Sequence, residues 1–505
     1  MKTLSIYLDK RIGSIFVLGI LSGLPWVMIG SALTLWLKEA GVSRSGIGFA
    51  GLIFFVYAIN FFWAPFIDRF APTFGLKLGA KQAWVTLCQC VIGLACLVMS
   101  QIDPAINAKA LVLVALILAI ASATQDIAID AYRIQSFKPE QTDKISAGAA
   151  AATGGWWTGY AAIGFIPLAL SDVGFSWSAL YVGFGVATLA TAVICSLLPA
   201  AQTATKTELT KTALVPVTRS LHDKYRLIAL LISPWLFAIW AVFGWGLPAA
   251  IIEASAYVPV SMAVVIALFI NALRTLSQRE VVTLAGTANG ADKLLANTYQ
   301  TLILPLQDFF KRNGAQLAMA LLGFIFLFKM GEAFLGRMSI VFYKELGFSS
   351  TQSAFYSKTM TWVVTLLSAI PAGILNAKFG IYRGLFISGI LMAASNLLFC
   401  ALALMGPVEW LYAITIVVDG FTAAWATVAF VAFVSRLCNL QFSATQYALL
   451  ASLGNLGRTT IASNSGLVVD GLDGNWAIFF ALTAVMVVPG LYILWRLKDR
   501  LPRTD

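Results

Sequence analysis

Apolar stretches long enough to cross a bilayer recur from end to end of this chain, and little else leaves a chain like it so few folds to choose from. A helix needs about 20 mostly apolar residues to span the hydrocarbon layer. Runs of that kind lie near 13–37, 46–66, 83–101, 108–129, 146–170 and 175–199, and a pair follows near 227–247 and 250–272. Six more lie near 316–337, 352–374, 382–404, 408–434, 445–468 and 475–496. Lipid offers no partner for an open backbone, so runs of this length must be helices. The chain is therefore an all-α polytopic membrane protein of about 14 transmembrane helices, two six-helix bundles with an extra pair between them. The divisions fall at 1–200 for the first bundle, 201–226 for a linker, 227–273 for the extra pair, 274–314 for a second linker and 315–505 for the second bundle. Only 11% of the 505 residues are charged, against about 25% in soluble chains.

The formal net charge of +11 does not point to nucleic acid, because the basic residues sit in loops between apolar runs. Lys2, Lys10 and Arg11 precede the first run; Arg69, Lys77 and Lys81 follow the second; Arg133, Lys138 and Lys144 follow the fourth. The alternate loops "SDVGFSWS" and "GPVEW" carry none. By the positive-inside rule both termini and both linkers face the cytoplasm. The start "MKTLSIYLDKRIGS" leads into a full span with no clear cleavage site, so no removable signal is expected. The single histidine, His222, lies in a linker, and the six cysteines form no CxxC motif. No metal or cofactor is expected, and no nucleophile or metal motif supports a membrane-embedded transferase.

The halves carry a weak internal repeat. "PFIDRFAPTFGLKLGAK" follows the second run and "PAGILNAKFGIYRG" the eighth of the twelve bundle spans, counted without the pair. Parallel repeats of six spans are the build of the major facilitator superfamily. Asp68 and Arg69, with a glycine and the later Lys77 and Lys81, resemble its loop motif between the second and third spans, although the basic continuation is stretched.

Ionisable residues inside a membrane are costly unless paired or hydrated, so each is a candidate for function. "SATQDIAIDAYR" sets Asp126, Asp130 and Arg133 on one helical face at the end of an apolar run. They are either an anchor at the membrane edge or a site for proton coupling or substrate contact. "FIFLFKMGEAFLGRMS" places Lys329 three residues before Glu332, an intrahelical pair or a cation suited to an anionic substrate. Lys358 is either a snorkelling residue or a cavity residue. Asp419 and Arg458 lie within the tenth and eleventh bundle spans, and Arg458 is flanked by apolar residues on both sides. The fifth run, "AGAAAATGGWWTGYAAIG", reads as close helix packing, with Trp156, Trp157 and Tyr160 either core or a wall for sugar rings. Gly23 and Pro25 suggest a kink in the first span, with Trp26 beside it.

"SGLPWVMIGSALTLWL", "FFWAPFIDRF", "SATQDIAIDAYR", "FKMGEAF" and "NLQFSATQYALLASLGNLGR" together resemble the AmpG-like muropeptide permeases, a branch of that superfamily. The resemblance runs through both halves in the same order; the extra pair is unmatched. It implies proton-driven import of anhydro-muropeptides, GlcNAc linked to 1,6-anhydroMurNAc bearing a short peptide, across the inner membrane of a Gram-negative bacterium. Such import serves peptidoglycan recycling and, in some species, β-lactamase induction and so antibiotic resistance. The residues it carries over are Gln125, Asp126, Asp130, Lys329, Glu332, Lys358, Gln446 and Arg458. On this reading Asp126, Asp130 and Glu332 titrate, Arg458 and Lys358 hold the anionic end, and the partners are substrate, protons and lipid, with the chain a monomer. Siderophore importers and acetyl-CoA transporters resemble the same branch, so another anionic metabolite is the alternative cargo. A non-transporting sensor would instead tolerate Asp126→Asn.

Overall fold

The computed structural model describes residues 6–42, 50, 53–54, 56–73, 78–199, 304–349, 352, 355–460 and 465–498. The extra pair expected over 227–273, the linker at 201–226 and Lys77 lie outside the described residues. All described elements are helical. Two compact units divide the chain, one of Met1–Thr203 with Leu322–Asp505 and one of Ala204–Leu321.

In the larger unit the N-terminal half begins with α1 (Lys10–Glu39). Two short helices, α2 (Val56–Ile59) and α3 (Ala64–Arg69), follow, then α4 (Ala80–Met99) and α5 (Pro104–Gln135). Next come α6 (Thr142–Trp157), α7 (Gly164–Asp172) and α8 (Trp177–Leu197). The smaller unit contributes α9 (Leu304–Asn313), an amphipathic helix closed by a 2.9 Å Arg312–Asp308 pair. The C-terminal half comprises α10 (Ala315–Leu346), which starts in the smaller unit, α11 (Phe355–Phe379), α12 (Ile381–Met405) and α13 (Glu409–Leu437). It ends with α14 (Ser443–Thr460), α15 (Ser465–Gly471) and α16 (Trp476–Leu497). Among the described residues nine helices are long and apolar enough to cross a membrane. The other expected spans outside 227–272 fall on the interrupted helices α2–α3, α6–α7 and α14–α15.

Local chemistry sets the helix ends. Asp9 accepts from the Arg11 amide, Asp103 from Ala105, Ser176 from Ala179 and Asn475 from Ile478, each satisfying an orphan N–H of a first turn. Lys144 pairs with Asp9 at 2.7 Å, ties the start of α6 to that of α1, and holds the Asp9 carboxyl below the usual carboxylate range. At the other ends, Gly347 closes α10 at φ 105° and Gly380 turns α11 into α12 at φ 79°, where a side chain would be strained. The fourth span runs on to Gln135, beyond the apolar run, because Tyr132 and Arg133 are buried rather than solvated.

One apolar core holds Met28, Leu118 and Tyr181 at one end of the first half, and one holds Phe342, Phe399 and Phe480 in the second; a third, around Ile15, Ile129 and Tyr132 at the other end of the first half, takes in Ala444 and Ala448 of the second. Leu113, Ile117, Val193, Leu367, Leu397 and Leu404 are exposed. Water would penalise that surface, whereas lipid does not. A close helix crossing joins α1 to α6 and to the π-helical turn Thr158–Ile163 that continues it. A Cβ at Gly23 would overlap the Trp156 carbonyl, and one at Gly159 that of Ile20, while Gly19 and Gly155 are similarly closed. The crossing is thus Gly-x-x-x-Gly against Gly-x-x-x-Gly, backbone on backbone.

Candidate functional site

Asp126 lies on α5 opposite α1. Ser22 donates to its Oδ1 at 2.6 Å, and the indole N–H of Trp26, one turn further along α1, lies beside the same carboxyl without a hydrogen bond of good geometry. The residue remains partly exposed. Around it the polar side chains are engaged: Tyr57 donates to Ser122 at 2.8 Å and Trp63 to Thr124 at 3.0 Å. Trp26 is the central ring of an aromatic surface. Its centroid is 4.5 Å from Tyr57, 5.1 Å from Phe54 and 5.8 Å from Trp156. Trp156 continues to Tyr160 at 5.0 Å and to Trp157 at 5.4 Å. The α1–α6 glycine crossing brings Trp26 and Trp156 together; a π-helical turn, Met28–Ala32, follows it in α1, and another, Thr158–Ile163, holds Gly159 of the crossing itself. Such turns interrupt the regular ladder and recur where helices serve a site.

The second half carries a different arrangement. α10 breaks at Phe328–Lys329, where Lys329 takes φ −104° and ψ 13°. Its ammonium donates to Glu332 at 2.7 Å and to Thr427 on α13 at 2.6 Å, so the pair read from the three-residue spacing is present. Lys329 is buried and Glu332 one-quarter exposed. Gly331 lets this break seat against Thr483 of α16. Asp419 is partly exposed and accepts from Ser395 at 2.9 Å. Lys358 stands in a π-helical turn, Phe355–Met360, and Arg458 in α14.

The halves are tied together at the end that carries the N-terminus. Asp68, at the end of α3, caps α14 of the opposite half: its carboxylate accepts from the Ala444 and Thr445 amides at 3.1 and 2.8 Å and from the Thr445 hydroxyl. Lys81 neutralises it at 2.7 Å, both side chains being almost fully buried. A carboxylate at a helix N-terminus also meets the positive end of the helix dipole. Arg133 donates to Ser435 at 2.5 Å, and Gln135 to the Leu440 carbonyl and Ser443. Tyr7 reaches the Ile370 carbonyl at 3.2 Å.

The carried-over residues therefore fall into groups. Asp126, Trp26, Trp156, Trp157 and Tyr160 come together; Lys329, Glu332 and Asp419 form a separate set in the other half. The expected stripe of three charges divides, since Arg133 pairs with Asp130 at 2.8 Å while Asp126 pairs with Ser22. Gln125 and Gln446 are buried and occupied, Gln125 with Gln89 and the Leu21 carbonyl, Gln446 with the Asn439 amide. Arg69 is exposed, its guanidinium over Phe70. Sequence reasoning passed over Ser22, Tyr57, Phe54 and Ser395. It also passed over the capping role of Asp68, although "FSATQ" has the Ser-x-x-Gln spacing of a helix start.

The chain is similar to named transporters over nearly its whole length. The chain is 28% identical over 496 residues to a Rickettsia felis protein named transporter AmpG 4, covering 98% of each. It is 26% identical over 502 residues to the anhydromuropeptide permease of Escherichia coli K12, covering 99% of this chain and 82% of that one. Over nearly its whole length the chain is similar to AmpG-like transporters, and its fold is that of the major facilitator superfamily. No family model matches it. Among solved structures, the proton:xylose symporter XylE bound to 6-bromo-6-deoxy-D-glucose superposes with a TM-score of 0.56 at 12% identity, over 97% of this chain and 96% of XylE. The outward conformation of FucP does so at 0.55 and 12%, over 99% and 100%.

Proposed function

We propose that this chain is a proton-coupled importer of anhydro-muropeptides, carrying GlcNAc-1,6-anhydroMurNAc and its peptides from periplasm to cytoplasm by alternating access. The likeness along nearly the whole chain to a protein named for that substrate carries the reading. Its chemistry suits the residues. The aromatic surface of Trp26, Tyr57, Trp156 and Tyr160 offers faces for sugar rings, and a lactyl-peptide carboxylate calls for a cation such as Arg458 or Lys358. Asp126, Asp130 and Glu332 are partly exposed carboxyls able to take up a proton. With the termini in the cytoplasm of a Gram-negative cell, as the loop charges favour, the tied end is the cytoplasmic one. This arrangement would then await substrate from the periplasm. The chain would act as a monomer.

The test is uptake of labelled GlcNAc-anhydroMurNAc-tripeptide into proteoliposomes, with and without an imposed pH gradient. Uptake that rises with an inward proton gradient supports both substrate and coupling. Absence of uptake by correctly oriented protein under both conditions removes the muropeptide and favours another anionic cargo.

A further inference from the structure

Arg133 is an unusual cation. It is 3% exposed, and its Nε is buried without a hydrogen-bond partner. Among the described residues Asp130 is the one carboxylate within ion-pair distance of it, at 2.8 Å. Its remaining contacts cross to the other half: the Ser435 hydroxyl on α13 at 2.5 Å, and the ring of Tyr447 on α14, 4.9 Å from the guanidinium carbon. One side chain thus joins a carboxylate on α5 to two helices of the opposite half. Asp130 is itself one-third exposed, so solvent reaches it while Arg133 stays covered.

We infer that Arg133 is the positioning residue that links the charge on Asp130 to closure of the cytoplasmic end. Ionised Asp130 neutralises Arg133 and holds it against Ser435 and Tyr447. A proton entering from solvent onto a carboxyl oxygen of Asp130 removes that counter-charge. Arg133 cannot respond by losing its own proton, because a guanidinium stays charged. A buried cation left unpaired is strongly unfavourable, so the side chain withdraws toward water and both contacts to the other half are lost. Among the described residues the other titratable or charged groups facing this node are Asp126 on the same helix, Tyr447 on α14 and Cys438 just beyond α13. None of them carries a positive charge that would replace Arg133 in the tie.

The inference rests on the transporter reading but not on the identity of the cargo, so its test uses no substrate. Cys438 is 7% exposed beside the node and serves as a native reporter once the other five cysteines are replaced by Ala. The full chain is placed in lipid nanodiscs and labelled with a membrane-impermeant thiol reagent, the rate being normalised to unfolded protein at each pH. In the otherwise native chain, labelling rises about tenfold between pH 8 and pH 5.5, the scale of a modest population shift. Asp130→Asn and Arg133→Gln each label rapidly at both pH values. Arg133→Lys, which keeps the charge, retains a pH-dependent rise and carries the test should the other two fail to fold. Asp130→Asn that stays as protected as the native chain at pH 8, or that keeps the native pH profile, overturns the inference. So does a flat profile in both the native chain and Arg133→Lys. Failed muropeptide uptake with an intact labelling profile would sink the substrate and leave this coupling standing.

Discussion

Asp126 and Lys329 are both charges inside the bundle, yet they face opposite conditions. Lys329 is buried and donates to Glu332 and Thr427. Removing one member of such a pair leaves the other uncompensated, at a cost of about 3–5 kcal/mol, so its substitutions report on folding before transport. Among the described residues Asp126 accepts from the neutral hydroxyl of Ser22 and lies beside the Trp26 indole. Asparagine at 126 still accepts from Ser22 but cannot carry a proton. Asp126→Asn should therefore insert and purify like the native chain while losing uptake driven by a pH gradient; full gradient-driven uptake by this variant would take Asp126 out of the coupling.

The α1–α6 crossing decides where the aromatic surface stands. Gly23 and Gly159 have no room for a side chain, whereas Gly13 on the same α1 has nothing within 4 Å of its would-be Cβ. Gly159→Leu should destabilise by about 1–3 kcal/mol or more, the usual cost of overpacking, and separate Trp26 from Trp156. Gly13→Ala should leave stability unchanged. Thermal unfolding and tryptophan fluorescence distinguish the two, and equal behaviour would mean the crossing is looser than it stands here. The fifth run declared close packing by its composition alone. Its partner, and the register that sets Trp156 against Trp26, depended on which helix lay across it.

Among the described residues, polar contacts between the halves tie one end of the larger unit, beside apolar contacts such as Ala444 and Ala448 on the first-half core. Asp68 is the hub, accepting two amides and a hydroxyl of α14 while paired to Lys81. Asp68→Ala forfeits a helix cap worth about 1 kcal/mol and strands a buried ammonium at a cost of about 3–5 kcal/mol. It should shift the population away from the closed-end state, read as longer distances between spin labels on the ends of α3 and α14. Unchanged distances would show that Arg133 and Gln135 hold the end closed without it.

The run lengths, the loop charges and the carboxylates at 126 and 130 already determined a membrane protein of repeated six-helix halves, the orientation to expect and the first place to look for a site. Burial of apolar surface in lipid accumulates residue by residue along the chain, so it is legible in one dimension. The partners of the buried polar groups are not. Asp68 meets an amide 376 residues away and Arg133 a hydroxyl 302 away. In a medium without water each such group must find its complement on another helix. Which one it finds was decided only by how the helices cross.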